Sequence, residues 1–530
     1  MLLILLTSLI YLIILKGYGY LASKLLNPQK LISLDLLNGF LIIGIISSIS
    51  AIFVPLNQNF EILIISLGLL LAIYSKFWKD QGKINYKSTS FLFLTLIICF
   101  VSSMNAYIFD TFSYYFPTIK WLDDYGFVKG LANFDFFLGQ TSLWHIIQAS
   151  FNESLDPYYK INAVLALVFL IYIYESYKTQ FIFFFALFFL FLASPSPDLP
   201  VFIISAIVIL NYLHFKDNSA IRFGFIMATF LVVIKPITFI LAMFFVYQLF
   251  KAKHKINLKI LVIFCLLVLI FIVKNIILTA NLTFPLAFGN LTSSVYSVPQ
   301  HIYELSGVDG RYLATSRVNP VDYEAFKSWG YLQYYRYIFS NLHLSIYIYL
   351  GLTFINFIFL IYTISLKSRD LIVLACLILF KSFVFWIISI QYRFILDGTL
   401  IILCILLVNV KSRKKVQLPL ILFTSLILVF AAELRLTKKV YFMYGIAMYK
   451  VENLLTPKNY IVKTKRSTYS NFEANYITNS IITSDAKQPA VGERMLEMNA
   501  YKNNLPKLLD STNIKSGFIS VVNKNTNTGY

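Results

Sequence analysis

Asp110 stands in the run Asn105-Ala-Tyr-Ile-Phe-Asp110-Thr-Phe-Ser-Tyr-Tyr-Phe-Pro117, the first long polar excursion after four apolar spans. A carboxylate where the chain leaves hydrocarbon must sit in a wet or hydrogen-bonded pocket, because burying it bare is expensive. Two readings compete for it. As a helix cap it would accept from the first backbone N–H groups of the segment that runs through Tyr114 to Asp124, a position Asp favours. As a site residue it would work beside Tyr114, Tyr115 and Trp121, whose flat amphipathic faces suit sugar rings or the interface belt of a membrane. Asp123 and Asp124 read as solvated charges. The segment from Asn133 to His145 reads as a second surface helix lying over the first, with His145 a packed aromatic.

The other charged residues that interrupt apolar sequence are few. Asp198 lies in Ser194-Pro-Ser-Pro-Asp-Leu-Pro200, where the prolines fix a tight turn and Asp is common; it is a plain turn residue or an acceptor-binding one. Lys235 falls in the middle of an apolar hairpin, as an anion partner or as a side chain snorkelling to the interface. Arg393, in Ile390-Gln-Tyr-Arg-Phe394, has the fork geometry to clamp phosphate oxygens. Lys274, near one end of its span, is a weaker member of the same cationic set. The loop 281–340 carries Arg311, Arg317, His301, Glu304, Asp309 and Asp322, enough mixed charge to bind a polar acceptor or simply to be solvated.

The elements that must position these residues are membrane helices. Of 530 residues, 58% are hydrophobic and only 13% charged, and mean hydropathy is +0.72. Apolar runs of about 20 residues, long enough for a roughly 30 Å hydrocarbon core, recur along most of the chain. The expected spans are 1–15, 38–55, 61–78, 89–105, 157–174, 180–194, 199–213, 222–234, 236–250, 257–280, 341–366, 370–390, 394–410 and 416–433. The first has no basic leader or small-residue cleavage site and reads as a retained span. The fold class is therefore an all-α polytopic membrane protein of about 12–14 transmembrane helices. Residues 1–433 form the membrane domain, with large loops at 105–156 and 281–340, and residues 434–530 form a polar C-terminal region.

Lysine and arginine give a net charge of +20, but they cluster in short connectors such as Lys76/Lys79/Lys83/Lys87, Lys216/Arg222 and Lys367/Arg369. That is the positive-inside pattern, and it argues against nucleic acid as a partner. Counting sides from these connectors works only if Lys235-Pro236 breaks 222–250 into two helices, which the missing proline N–H favours. Both large loops, the 194–198 turn, Lys235, Arg393 and the tail then share the outer face, and the basic connectors face the cytoplasm. Cys99, Cys265, Cys376 and Cys404 lie in apolar runs as buried small hydrophobes, with no disulfide or zinc spacing. The tail has no catalytic signature, and its Ser516-Gly-Phe-Ile-Ser-Val-Val522 reads as a short strand in a folded cap. No P-loop, GxGxxG, HExxH or carboxylate-rich metal box is present, which argues against a nucleotide-driven pump.

This pattern resembles the GT-C superfamily of integral-membrane glycosyltransferases, which use polyprenyl-phosphate-linked sugars. It is similar more closely to an uncharacterised bacterial polytopic family associated with surface-polysaccharide loci. The likeness runs through Asp110-Thr-Phe-Ser-Tyr-Tyr-Phe-Pro-Thr-Ile-Lys-Trp121, Val128-Lys-Gly-Leu-Ala-Asn133, Ser196-Pro-Asp-Leu-Pro200, Ile234-Lys-Pro236, the run from Lys274 to Pro285, Val298-Pro299 and Gln391-Tyr-Arg-Phe394. The resemblance implies that Asp110 is the general base for an inverting sugar transfer. It further implies that Lys235, Arg393 and Lys274 bind the donor phosphate, and that Tyr114, Tyr115, Trp121 and Asp198 line the sugar or acceptor site. Its partners would be a polyprenyl-linked sugar donor, a glycan or lipid acceptor and membrane lipids, on the outer face of a bacterial inner membrane, in lipopolysaccharide or O-antigen synthesis. No cofactor is implied, and a divalent metal stays open because a lone Asp departs from members with an acidic pair. Three alternatives remain: a repeat-unit polymerase for O-antigen or capsule, a lipid-linked oligosaccharide flippase or other transporter, and a non-enzymatic membrane scaffold. The second would show polar residues in mid-span, of which the sequence offers few.

Overall fold

In a bilayer every backbone N–H and C=O must be satisfied within the segment, so apolar runs of this kind close into helices. The computed structural model describes residues 1–26, 30–77, 88–106, 108–252, 257–315, 322–342, 344–408, 451–457, 462–478, 480 and 482–522. The expected span 416–433 and Arg317 lie outside the described residues. The helices are α1 (Leu2–Leu26), α2 (Ile32–Phe53), α3 (Gln58–Tyr74), α4 (Thr89–Ser102), α5 (Phe116–Tyr125), α6 (Leu131–Phe134), α7 (Leu143–Ala149), α8 (Ile161–Glu175), α9 (Phe185–Phe188), α10 (Asp198–Phe215), α11 (Asn218–Ile234), α12 (Phe239–Lys251), α13 (Leu258–Thr279), α14 (Gln300–Thr315), α15 (Tyr323–Lys327), α16 (Tyr331–Ser340), α17 (Leu344–Ser365), α18 (Arg369–Ile388), α19 (Leu396–Leu407) and α20 (Glu493–Tyr501). Six of them, α1, α2, α10, α13, α17 and α18, are long and apolar enough to cross a membrane. Shorter apolar helices, among them α3, α4, α8, α11 and α19, complete a mostly helical polytopic bundle.

Side-chain bonds sort the helix ends into two sets. At one end Lys178 Nζ donates to the Val408 carbonyl (3.1 Å), Glu175 receives Ile32 N–H (2.5 Å), and Lys251 pairs with Asp370 (2.5 Å). At the other, the Met1 amine reaches Asn453 O, Asn453 Nδ2 reaches Ser103 O, and Glu61 accepts three backbone N–H groups from residues 153–155. The described ends of successive long helices alternate between these two sets. The hairpin does too: α11 stops at Lys235, Pro236–Thr238 forms one 3-10 turn, and α12 runs back against α11.

Three expectations about the spans change. The first helix is not residues 1–15 with Lys16 in a connector but the longer α1, in which Lys16 is buried and bonds Asp35 of α2 at 2.5 Å. Backbones touch here: a Cβ on Gly17 would lie 2.2 Å from Gly68 O, the close approach that small residues permit between membrane helices. Charged groups inside the bundle are also more numerous than the hydropathy suggests. Lys381 of α18 and Asp397 of α19 form a pair at 2.7 and 2.8 Å with side chains 1% and 3% exposed. Of the cysteines, Cys99 and Cys404 are buried, but Cys265 and Cys376 are exposed on the bundle surface.

The tail folds as a small cap. β1 (Lys465–Tyr469) pairs antiparallel with β2 (Phe472–Ile477), β2 pairs parallel with β3 (Ala490–Gly492), and β4 (Asn504–Leu508) pairs antiparallel with β5 (Phe518–Val522). β5 falls within the strand read from residues 516–522. The cap seats on both large loops: Asn133 Nδ2 donates to Tyr296 O (2.9 Å) and Phe518 O (3.1 Å), and Lys502 Nζ bonds Asp309 (2.6 Å). Gly130 is required at this seat, because its φ is 61° and a Cβ would lie 2.1 Å from Phe518 O.

Candidate functional site

Asp110 sits where a helical turn resumes after α4, and the next turn, Thr111–Tyr115, is a π-helix. Such bulges open the i→i−4 ladder and recur at functional sites. The helix-cap reading fails on geometry: Asp110 makes no capping hydrogen bond. Its carboxylate instead accepts from Arg393 Nη1 at 3.0 Å, across 283 residues of chain. Arg393 occupies a 3-10 turn (Tyr392–Phe394) between α18 and α19, and its Nε donates to the Gln391 amide oxygen Oε1 at 3.1 Å. Both side chains stay reachable, Asp110 at 28% and Arg393 at 36% exposure.

Behind this pair lies a second one. Asp198 opens α10, is buried, and bonds Lys235 of the α11/α12 hairpin and the Ser196 hydroxyl. Arg393 acts electrostatically on both Asp110 and Asp198, so the four charges form one alternating cluster. Phe394 is its common wall: Lys235 Nζ lies 5.5 Å and the Arg393 guanidinium 5.3 Å from its ring. Each cation can therefore face an aromatic ring and a carboxylate together. The sequence brought Asp110, Arg393, Asp198 and Lys235 into view separately; their pairing is the structure's contribution.

The turn that presents Asp198 is pinned by residues that sequence reasoning missed. Asn162 Nδ2 donates to Ser194 O (2.6 Å) and Ser196 O (3.2 Å), and Lys160 Nζ donates to Ala193 O (2.8 Å) and Met104 O (3.2 Å). Thr111 and Ser194 share a hydroxyl bond at 2.7 Å, tying the π-helical turn to the same loop. A polar side chain at the head of an apolar run, as Asn162 is, was the available signal. Lys381 and Asp397 were legible in the same way, as charges inside or beside spans; they bracket the Arg393 turn.

The aromatic candidates divide. Tyr114 is half-buried, packs on Tyr115 (4.5 Å) and stacks on Phe137 (6.2 Å). Burial, and then the Asp110 charge, push its hydroxyl up, so it stays protonated at neutral pH. Tyr115 is 2% exposed and covered by His145 at 4.9 Å between ring centroids; it supports the site from inside and offers no open face. Trp121 lies elsewhere: it is 1% exposed and packs on Tyr125, Phe134 and Phe518 at the seat of the cap. Lys274 is buried too, its ammonium spent on the Thr141 carbonyl at 2.6 Å.

The surroundings correct other expectations. Asp123 is not solvated but buried beside Lys120 (2.6 Å), and burial pushes its carboxyl up to about 7. Asp124 accepts the Gln488 N–H from the cap at 3.0 Å. The segment from Asn133 to His145 is no surface helix: it runs through α6, a 3-10 turn (Phe136–Gln140) and α7, and α6 and α7 are buried throughout while Phe137 of the turn is exposed. His145 is the packed aromatic expected. It is fully buried against Tyr115, and neither ring nitrogen has a hydrogen-bond partner. Burial, with Lys274 adding to it, pushes His145 down to about 3. In the loop 281–340, Asp322 caps α15, Asp309 bonds Tyr323 and Lys502, and His301 meets Lys502 O. Among the described residues no group of three or more His, Cys, Asp or Glu side chains is placed to hold a metal ion.

The cluster can thus do two things. Two cations, one of them reachable, can bind an anion; and a half-buried carboxylate beside them, once released from Arg393, can accept a proton. A family model described as a domain of unknown function (DUF8201) matches residues 1–400, the part of the chain that holds all four charges. No curated protein and no solved structure matches the chain.

Proposed function

The chain belongs to the DUF8201 family, and from the site it builds we propose that it transfers a sugar from a polyprenyl-phosphate carrier to a glycan or lipid acceptor. One observation carries the reading. A reachable carboxylate, Asp110, is held against a reachable arginine, Arg393, at the ends of apolar helices, with Lys235 behind them. A donor phosphate competes with Asp110 for the Arg393 fork, and the freed carboxylate then faces the acceptor. The acceptor hydroxyl oxygen attacks the anomeric carbon, and its proton passes to Asp110. The bond from that carbon to the phosphate oxygen breaks with its electron pair on the phosphate. Arg393 and Lys235 stabilise the charge that develops there. The resemblance to GT-C transferases supports the same assignment, and with it a site on the outer face of a bacterial inner membrane and polysaccharide or O-antigen as the product class. Asp198 in this scheme holds Lys235, and Tyr114 donates from the wall. Lys274 and Trp121 take no part at the reacting atoms.

The experiment is the surface-glycan gel profile of a deletion strain carrying wild type, Asp110→Asn or Arg393→Gln. Wild type restores the profile and neither variant does. A null strain that keeps its ladder with shifted spacing marks single-sugar transfer, and one left with single-repeat material marks the polymerase alternative. One observation favours transport instead, the buried Lys381/Asp397 pair inside the bundle. Lipid-linked units trapped on the inner leaflet of the null strain would select that reading and defeat transfer.

A further inference from the structure

α16, the ten-residue helix Tyr331–Ser340, has a sharper contrast between its faces than α14, the other long helix of the same loop. Stepping about 100° per residue, its side chains fall into four arcs. Tyr334 and Ile338 face the protein and are buried. Next come Tyr335, Phe339 and Leu332, an apolar arc with Phe339 56% and Leu332 67% exposed. Arg336 follows, exposed, and then the polar Gln333 and Ser340. A helix in water has no reason to place a wide apolar arc between its buried face and its cation. A helix lying in a membrane interface has one, since each arc then meets the phase it prefers: protein, acyl chains, headgroup phosphate, water.

The neighbouring residues continue the same surface. α17 begins four residues later and is 22% buried over its most apolar stretch, with Leu344 69% and Tyr347 56% exposed. The Arg311 guanidinium lies 4.9 Å from the Tyr331 ring, one more cation over an aromatic at that level. We propose that α16 lies in the plane of the outer leaflet, with Leu332 and Phe339 in the acyl boundary and Arg336 at the lipid phosphates. The consequence concerns the site. Tyr335 stacks on Trp386 (5.8 Å, 5°) and donates to its carbonyl (3.0 Å). Ser389, three residues on, bonds Gly310 O at 3.0 Å, and the turn from Ser389 leads directly to Arg393. A helix fixed at headgroup depth therefore fixes Arg393 near the same depth, within reach of a phosphate carried by a lipid.

The test uses the full chain with Cys265 and Cys376, the exposed cysteines, replaced by serine, and a single cysteine at Leu332, Phe339 or Gln333. Each carries an environment-sensitive fluorophore in vesicles of phosphatidylethanolamine and phosphatidylglycerol, with quenchers on the lipid chain near the headgroup. Labels at 332 and 339 are expected to shift to the blue and to be quenched about threefold more than at 333, as an interfacial helix buried about 5–10 Å requires. Equal, weak quenching at all three positions overturns the proposal. So does a blue shift at 332 and 339 without lipid quenching, which would mean that protein covers the face. The outcome is independent of sugar transfer, because the vesicles hold no donor.

Discussion

Replacing Lys381 by Ala removes one partner of an ion pair that has no water to fall back on. Lys381 Nζ lies 2.7 and 2.8 Å from the two oxygens of Asp397, and both side chains are almost fully enclosed. The carboxylate left behind is buried and unpaired, a loss of about 3–5 kcal/mol. Replacing both residues together, Lys381→Met with Asp397→Leu, removes the two desolvated charges at once and is expected to be near neutral. For a chain of 530 residues the unfolding entropy is about 1 kcal/mol per kelvin, so the single variant should melt roughly 3–5 °C lower. Intrinsic-fluorescence melting in detergent, at one scan rate for all variants, reads the shift. Because α18 and α19 flank the Arg393 turn, the single variant should also fail to restore the surface glycan where the double variant does. A double variant that melts as low as the single one would show that the pair's charges do not set the loss, and a single variant that melts like wild type would show that Asp397 tolerates standing alone.

Two further outcomes follow from the loops and the cap. His145 is held near 3 against an ordinary 6.5, so the unfolded chain binds the extra proton between those values. Its contribution is thus destabilising as pH falls below about 6.5 and absent above it, with a limiting slope of about 1.4 kcal/mol per pH unit. Melting profiles of wild type and His145→Gln should run parallel above pH 7 and diverge below 6, with the wild type falling faster; parallel profiles throughout would contradict the assignment. Asn133→Ala leaves the carbonyls of Tyr296 and Phe518 without their donor, at about 1–3 kcal/mol for buried groups. The cap should then be cut by trypsin at Lys507 or Lys515 under conditions that leave the wild-type cap whole, and equal resistance would argue against Asn133 as its anchor.

The sequence made the bundle legible because membrane helices announce themselves by length and hydropathy, and the break at Lys235-Pro236 by proline chemistry. Residues 222–250 look too short for two spans, yet α11 and α12 form the hairpin that the connector charges demanded. Asp110, Asp198, Lys235 and Arg393 stood out because charge is rare in apolar sequence. What sequence could not supply was which carboxylate meets which cation, since the Asp110/Arg393 bond joins residues 283 apart. Trp121 was misplaced for a related reason: its indole suits a sugar or a core equally, and the choice was made by Phe518 from the far end of the chain. Asp123 looked solvated, and Lys16 fell just beyond the expected first span, because burial is a property of the neighbours, here Lys120 and Asp35.

The central claim is that Asp110 takes the proton as a sugar–phosphate bond breaks. The most direct measurement is release of polyprenyl phosphate from a labelled extract of the cell's own lipid-linked sugars, by purified chain in lipid nanodiscs. Wild type is expected to release it, and Asp110→Asn to release it about 10²–10⁴-fold more slowly, the range for a general base. Release by Asp110→Asn at the wild-type rate would contradict the claim.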